Sequence, residues 1–356
     1  MKKSKIKNQK SKLSIFIPLF FGFCILFLSG CADRDRMYRE SREVMYTICT
    51  ITVVSNSEVK AREAIEAGFA RIKKLERTLN FFSPESEITA INRASGIRPV
   101  KVSRETLGVI EKAVEVAEYT AGAFDPTVGP LIKLWDFSKQ TSGSSLPPSE
   151  EIEKALKLVD YKKIKIDIPV SEIFLEKKGM ELDLGGIAKG YAADAAIEAI
   201  KARGIKAALV AIAGDIKGFG LRPDKKPWRV GVQNPRQSEN RSNIDGEDIF
   251  ASLYLKDMAV STSGDYQRFF IKGGKRYHHI LDPRAGYSTS DIISVSVIAP
   301  HGFIADGLST GIFVIGIEEG IKLLESMGFD GIIVDSSKKV FITKSLEGKI
   351  KIEKNI

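Results

Sequence analysis

The sequence predicts an α+β fold, and three observations predict it. Apolar residues recur at three- and four-residue spacing mainly before Lys163, short β-branched runs crowd the chain after it, and strict strand-helix-strand alternation is missing. The last point argues against a doubly wound parallel sheet. A content of 43% hydrophobic and 28% charged residues over 356 positions, with three cysteines, belongs to a folded chain and not to a disordered or disulfide-built one.

Taken in order, the chain opens with Lys2 to Lys12 as a positive stretch and Leu13 to Leu28 as an apolar one interrupted by Pro18. Small residues, Ser29 and Gly30, then precede Cys31. This resembles a bacterial lipoprotein signal, which implies that residues 1–30 are removed, that Cys31 is lipidated, and that the protein is exported and anchored to a bacterial membrane on its periplasmic or extracellular face. An uncleaved membrane anchor is the alternative, although the stretch is shorter than the ~20 residues that span a bilayer. Residues 31–43 are charged and read as a tether, and residues 44–356 as the functional domain. Six lysines in the first twelve residues supply six of the nine formal positive charges, so the chain after residue 30 totals +3. That balance, without zinc-finger spacing or an aromatic-basic motif, gives no sign of nucleic acid binding. With Cys24 lost and Cys31 lipidated, Cys49 is a lone thiol and no internal disulfide forms.

Met45 to Val54 is β-branched and apolar and predicts a strand. Ser57 caps a helix carrying Ile65, Phe69, Ile72, Leu75 and Leu79, Ser103 starts a second with Leu107, Ile110 and Val114, and Ser149 a third through Leu156. Strands are expected at 164–168, 173–176 and 180–184, then a helix from Gly186 to Arg203 closed by Gly204. Further strands are expected at 207–213, 229–232, 249–255, 259–262, 268–272 and 292–299, followed by helices at about 303–315 and 318–327 and a closing hairpin.

The chemistry must come from glycine- and aspartate-rich segments, because H-E-x-x-H, G-x-S-x-G, G-x-G-x-x-G and the Walker loop are absent. At Asp183-Leu184-Gly185-Gly186-Ile187-Ala188-Lys189-Gly190, a backbone free of side chains enters a helix, where unpaired N–H groups and Lys189 suit an anion. A tight turn with a solvated lysine explains the same residues. Asp306 and Thr310 are four apart and share a helical face, hard oxygen donors that suit Mg²⁺; an N-cap and a back-bonded hydroxyl are the alternative. In His278 to Gly286, His279 and Arg284 can face an anion beside the Asp282-Pro283 turn, or serve as polar packing and surface charge. Ala123 to Pro130 can form a binding loop, and Phe81 and Phe82 can stack on a planar ring, with core packing the alternative for each.

Together these segments resemble the ApbE-type FAD:protein FMN transferases. The residues carrying the likeness are F-D-P-T-V-G-P-L from Phe124, D-L-G-G-I-A-K-G-Y from Asp183, A-G-D-I-x-x-x-G from Ala213, S-T-S-G-D-Y from Ser261, H-I-L-D-P-R-x-G from His279 and A-D-x-x-x-T from Ala305. The resemblance implies mixed or antiparallel sheets with flanking helices in two intertwined subdomains. It also implies transfer of the FMN half of FAD, with Mg²⁺ on the pyrophosphate, to a Ser or Thr hydroxyl of an acceptor flavoprotein, AMP leaving. By the same likeness the metal ligands are the Gly186 carbonyl, Asp306 and Thr310, and the FAD contacts are Met45, Phe82, Ala123, Phe124, Asp125, Asp183, Lys189 and Ile280. Family members often carry Tyr or Trp where Phe82 stands, Met-Gly-Thr where this chain has Met45-Tyr46-Thr47, and Ala where it has Gly307. Lys189 is expected to stabilise phosphate charge, and His279 to accept the acceptor's proton, with Asp282 as base in its place or as the group orienting it. FAD hydrolysis by the same site, and flavin carriage without turnover, are the competing functions.

Overall fold

The computed structural model describes residues 34–137, 146–236, 249–353 and 356. The signal segment and Cys31 lie outside the described residues. From Asp35 to Ile356 the chain is one compact unit, in which the helix-rich and strand-rich stretches of the sequence interleave.

The unit begins with β1 (Arg36–Val44), which corrects the reading of 31–43 as a tether: from Arg36 onward this segment is a strand paired along its whole length with β2 (Thr47–Ser55). Its half-buried face is built from Tyr38, Glu40 and Arg42. The Arg42 guanidinium bonds Glu40 at 2.7 Å and lies 4.3 Å over the Phe69 ring, so a charged group covers apolar surface through a cation–π contact. Helix α1 (Glu58–Leu79) follows, with the Ser57 hydroxyl accepting the Lys60 N–H and the expected apolar stripe buried. Then come α2 (Glu87–Arg93), β3 (Val100–Lys101), α3 (Arg104–Tyr119) capped by Ser103, α4 (Gly129–Trp135), α5 (Ser149–Leu156), β4 (Ile164–Asp167) and β5 (Glu172–Leu175). The expected strand at 180–184 joins no ladder; Glu181 makes a single bridge to Val128 before the chain enters the glycine turn.

Helix α6 (Ala188–Lys201) leads into β6 (Ala207–Ile212), β7 (Asp215–Phe219), β8 (Trp228–Gln233), β9 (Ile249–Leu255), β10 (Ala259–Gly264), β11 (Phe269–Lys272), β12 (Lys275–His278) and β13 (Ile292–Ala299). The chain closes with α7 (Gly302–Ile315), α8 (Ile317–Met327), β14 (Asp330–Asp335), β15 (Val340–Ile342) and β16 (Lys351–Ile352). Eight strands form the main sheet in the order β1-β2-β6-β7-β10-β13-β14-β15, every neighbouring pair antiparallel.

Alternation along the strands gives the sheet two covered faces. Cys49, Ile51 and Val53 with Ala208, Val210 and Ile212 join the core shared with α1, α3, α6 and α7. Val54, Ala207 and Val260 face the other way, onto Trp228, Phe250 and Leu253 of the small sheet β16-β9-β8. The registers also define two ends. Val44 with Thr47, Cys49 with Ile212 and Ile212 with Asp215 mark one, and Arg36 with Ser55, Val54 with Ala207 and Ala208 with Phe219 the other. The site lies toward the first.

Candidate active site

The glycine turn is held from both sides. The Asp183 carboxylate accepts the Gly185 N–H at 2.6 Å, while the Asp183 N–H donates to the Pro126 carbonyl at 2.8 Å, which ties the F-D-P-T segment to the turn. A Cβ placed on Gly186 would stand 3.2 Å from both Phe124 Cε2 and Thr310 Oγ1. Gly186 is therefore where the turn, the Phe124 ring and the Thr310 hydroxyl converge, with room for backbone and little more. Helix α6 starts two residues on, without a side-chain cap, and leaves its first N–H groups to other partners.

One of those partners is visible. Asp306, in the second turn of α7, accepts the Gly190 N–H at 2.9 Å, and its other oxygen lies 3.8 Å from Lys189 Nζ. The N-cap of α7 is His301, so capping does not explain Asp306. Lys189 pairs directly with Asp215, whose second oxygen takes the Ser261 hydroxyl. Burial alone would lower the Lys189 pKa, but Asp215 and Asp306 outweigh it and hold the ammonium above its ordinary value. Burial, then the Asp215 charge, pushes the Asp306 carboxyl up to about 7, against Lys189 and the N–H groups of Gly190 and Lys189. Two buried carboxylates share one ammonium, an excess of negative charge that a cation relieves. Thr310 stands one turn beyond Asp306, its hydroxyl 3.2 Å from Ser263 Oγ, which also meets Ser309 Oγ at 2.8 Å.

The donors gathered here are a carboxylate, a hydroxyl and the Gly186 backbone. Among the described residues no group of three or more His, Cys, Asp or Glu side chains could hold a metal. A hard oxygen set of this kind fits Mg²⁺, whose remaining positions go to water and ligand oxygens.

The His279 ring is neutral. Burial, then the charges of His278 and Arg268, take its pKa down to about 3, and its Nδ1 is buried with no hydrogen-bond partner. Asp282 does not orient it. That carboxylate is a two-oxygen partner of Arg284, with Nε and a terminal nitrogen each at 2.9 Å, and also accepts the Arg284 N–H at 2.9 Å. The Asp-Pro turn uses the aspartate for itself, which corrects the reading of Asp282 as the group that positions the histidine.

The residues expected to contact flavin divide by exposure. Ala123, Phe124 and Ile280 are buried. Asp125 is buried and its carboxylate is spent: one oxygen accepts the Thr127 N–H at 2.8 Å and hydroxyl at 2.6 Å, the other the Tyr161 N–H at 3.0 Å. It shapes the loop and has little left for a ligand. Phe82, by contrast, is 64% exposed, with the edge of its ring packed on Phe81. Met45 and Tyr46 form the β1–β2 turn with φ of 54° and 58°, where glycine is the usual residue. Asn80 joins the two areas, its Nδ2 donating to Tyr46 Oη and its Oδ1 accepting the Phe82 N–H, both at 2.9 Å.

The structure thus brings Gly186, Lys189, Asp306, Thr310 and Phe124 together. Sequence reasoning missed Asp215, Ser261 and Ser263. Both of their segments were noticed as motifs, yet an aspartate after a glycine and a serine in a strand carry no local sign of pairing with a lysine 26 positions away.

A family model described as the ApbE family matches residues 45–333. Among curated proteins, an FAD:protein FMN transferase of Treponema pallidum (strain Nichols) is 32% identical over 350 residues, 92% of this chain and 94% of that protein. One of Klebsiella pneumoniae (strain 342) is 32% identical over 311 residues, 87% and 92% of the respective chains. Among solved structures, the ApbE protein of Thermotoga maritima superposes with a TM-score of 0.79 at 35% identity, covering 88% of this chain and 99% of that one. With the family's motifs gathered into one site and the likeness running through both sequence and fold, the chain belongs to the ApbE family.

Proposed function

We propose that this protein is an Mg²⁺-dependent flavin transferase. It moves the FMN moiety of FAD onto a Ser or Thr hydroxyl of an acceptor flavoprotein and releases AMP. The observation that carries the reading is the convergence of Lys189, Asp306, Thr310 and the Gly186 backbone on one point beside the start of α6. The names of the relatives support the reaction class.

Mg²⁺ on Asp306, Thr310 and Gly186 would neutralise charge on the pyrophosphate. Lys189, kept protonated by its two carboxylates, adds a fixed positive charge, and Asp215 holds it in place. Gly185 and Gly186 let the backbone approach the phosphates, while the Gly190 N–H of α6 is held by Asp306 and steadies that carboxylate. Phe82 offers a ring for stacking on the flavin or adenine. The acceptor oxygen attacks the phosphorus of the FMN half, the bond to the AMP phosphate breaks, and the hydroxyl proton passes to His279, whose buried Nδ1 has no hydrogen-bond partner in the protein. Lipidation at Cys31 would anchor the protein on the periplasmic or extracellular side, where the acceptor domain must then lie.

The test supplies the protein with FAD, Mg²⁺ and a flavoprotein acceptor and follows AMP together with the acceptor's intact mass. AMP release with a gain of one FMN mass is expected. AMP without an adduct would point to a pyrophosphatase, and tight FAD retention without AMP to a carrier; either refutes the transfer.

A further inference from the structure

The end of the main sheet opposite the site carries the excess positive charge of the chain after residue 30. Three loops meet there: 202–206 between α6 and β6, 220–227 between β7 and β8, and 256–258 between β9 and β10. The last two are tied together, the Gly220 N–H donating to Asp257 Oδ1 and the Gly218 N–H to the Met258 carbonyl, both at 2.9 Å. The strand registers Val54 with Ala207 and Ala208 with Phe219 put the first two loops near the level where β1 begins, and the bond from Gly220 to Asp257 holds the third beside the second. The loops contain Arg203, Lys206, Arg222, Lys225, Lys226 and Lys256 against Asp224 and Asp257, a net of +4. The chain after residue 30 totals +3, so everything outside these loops sums to −1.

The charges are displayed, not consumed. Arg203, Lys206, Lys225, Lys226 and Lys256 are exposed, and none is ion-paired among the described residues. Arg222 alone has a carboxylate, Asp224 at 2.9 Å. Beside them Val59, in the first turn of α1, is 67% exposed. Arg36, the first residue of β1, follows Cys31 by five positions. Five residues reach at most about 18 Å. A lipid on Cys31, the part of the proposed function on which this inference rests, therefore keeps this end of the sheet close to the bilayer.

We infer that this end is a membrane-facing surface that rests on anionic phospholipid headgroups. The short leash holds the loops within reach of the headgroups, and the cations select which face lies down, since surface potential acts only within about a Debye length. The nine residues of β1 span roughly 27 Å. That length sets the Met45 end and the active site away from the membrane, open to an acceptor domain in solution.

The full-length protein is purified in detergent and reconstituted in phosphatidylcholine vesicles and in vesicles containing phosphatidylglycerol. It is then treated with trypsin and the cleavage sites are read by mass spectrometry. On the anionic vesicles, cutting after Arg203, Lys206, Lys225 and Lys256 is expected to slow at least about tenfold relative to the neutral ones. Cutting after Lys338 and Lys339, in the turn at the far end of β14, is expected to stay the same. About 1 M salt, where the Debye length is about 3 Å, should restore cleavage. A Lys206→Glu, Lys225→Glu, Lys226→Glu, Lys256→Glu variant should lose the protection at Arg203 while keeping its AMP release. Equal cleavage on both lipids, or equal slowing at both ends of the sheet, overturns the inference. Intact mass beside a Cys31→Ser variant reports the acyl group separately, and the lipid contrast is scored either way because both vesicle types carry the same protein.

Discussion

Replacing Gly190 by alanine should unseat the metal-side carboxylate from the glycine turn. A Cβ at this position would stand 2.1 Å from the Gly302 carbonyl oxygen, 2.5 Å from its carbon and 2.7 Å from Asp306 Cβ. The reverse contact is as close, since a Cβ on Gly302 would fall 2.4 Å from the Gly190 oxygen. The main obstacle is backbone, so no side chain can swing aside, and α6 and α7 must separate by about 1 Å to reach ordinary contact. Overpacking of this kind costs about 1–3 kcal/mol. The same separation breaks the 2.9 Å bond from the Gly190 N–H to Asp306, worth about 1.5–3 kcal/mol when the acceptor is charged. Alanine returns up to ~1 kcal/mol in helix propensity. The net loss of ~2–4 kcal/mol corresponds to a fall in melting temperature of roughly 3–6 °C for a domain of this size, with AMP release reduced at least about tenfold. Gly108 in α3 is the control, because a Cβ there meets nothing within 4 Å, and Gly108→Ala should gain ~0.5–1 kcal/mol. Thermal melts and an AMP assay on both variants decide it. A Gly190→Ala protein that melts with the wild type and keeps its activity would refute the claim that this close crossing positions Asp306.

Phe82→Ala removes an exposed ring, so its melting temperature should hold within a degree or two while the dissociation constant for FAD rises about 3–10-fold, as fluorescence titration would show; unchanged affinity would remove Phe82 from the site. For Asp306→Asn, melts in chelator should be no lower than wild type, because the amide ends the repulsion from Asp215. Added Mg²⁺ at a hundred times its dissociation constant should stabilise the wild type by about 2.7 kcal/mol and leave the variant unmoved. Equal Mg²⁺ stabilisation of both would overturn the ligand assignment. Cys49 is fully buried and burial pushes its thiol up to about 12, so a thiol reagent at pH 8 should leave the folded protein unlabelled and modify one site at position 49 after denaturation.

What the sequence made legible follows the physics of each element. Helix α1 declares itself because its buried stripe is apolar and Ser57 signals the start. Strand β1 stays hidden because Glu40 and Arg42 stand between Tyr38 and Val44 on its packing face, and their burial works through an aromatic ring and an ion pair that interrupt the hydrophobic period. The 180–184 segment looked like a strand because Met180, Leu182 and Leu184 alternate; all three are buried, and the backbone between them serves the glycine turn. In the site, Asp306 and Thr310 could be paired from helical spacing alone. Asp215 could not, because its partner sits across a helix and a strand, and only the folded sheet brings them together. Asp282 erred in the other direction: a carboxylate beside a histidine in sequence faces an arginine in space.

The order of strands in the main sheet also sets the order in which the parts of the site come together. Strand β2 ends at Ser55 and its neighbour β6 begins at Ala207, so the whole helix-rich stretch is a loop of about 150 residues closed by one antiparallel pairing. Closing a loop of that length is entropically dear before its contacts repay it, and non-local pairings of this kind fold slowly. Lys189 lies inside the loop, whereas Asp215, Asp306 and Thr310 lie beyond it. Lys189 and Asp215 are 26 positions apart and can meet through α6, β6 and β7 before that closure, whereas Met45, just ahead of β2, joins their end of the sheet only when β2 pairs with β6.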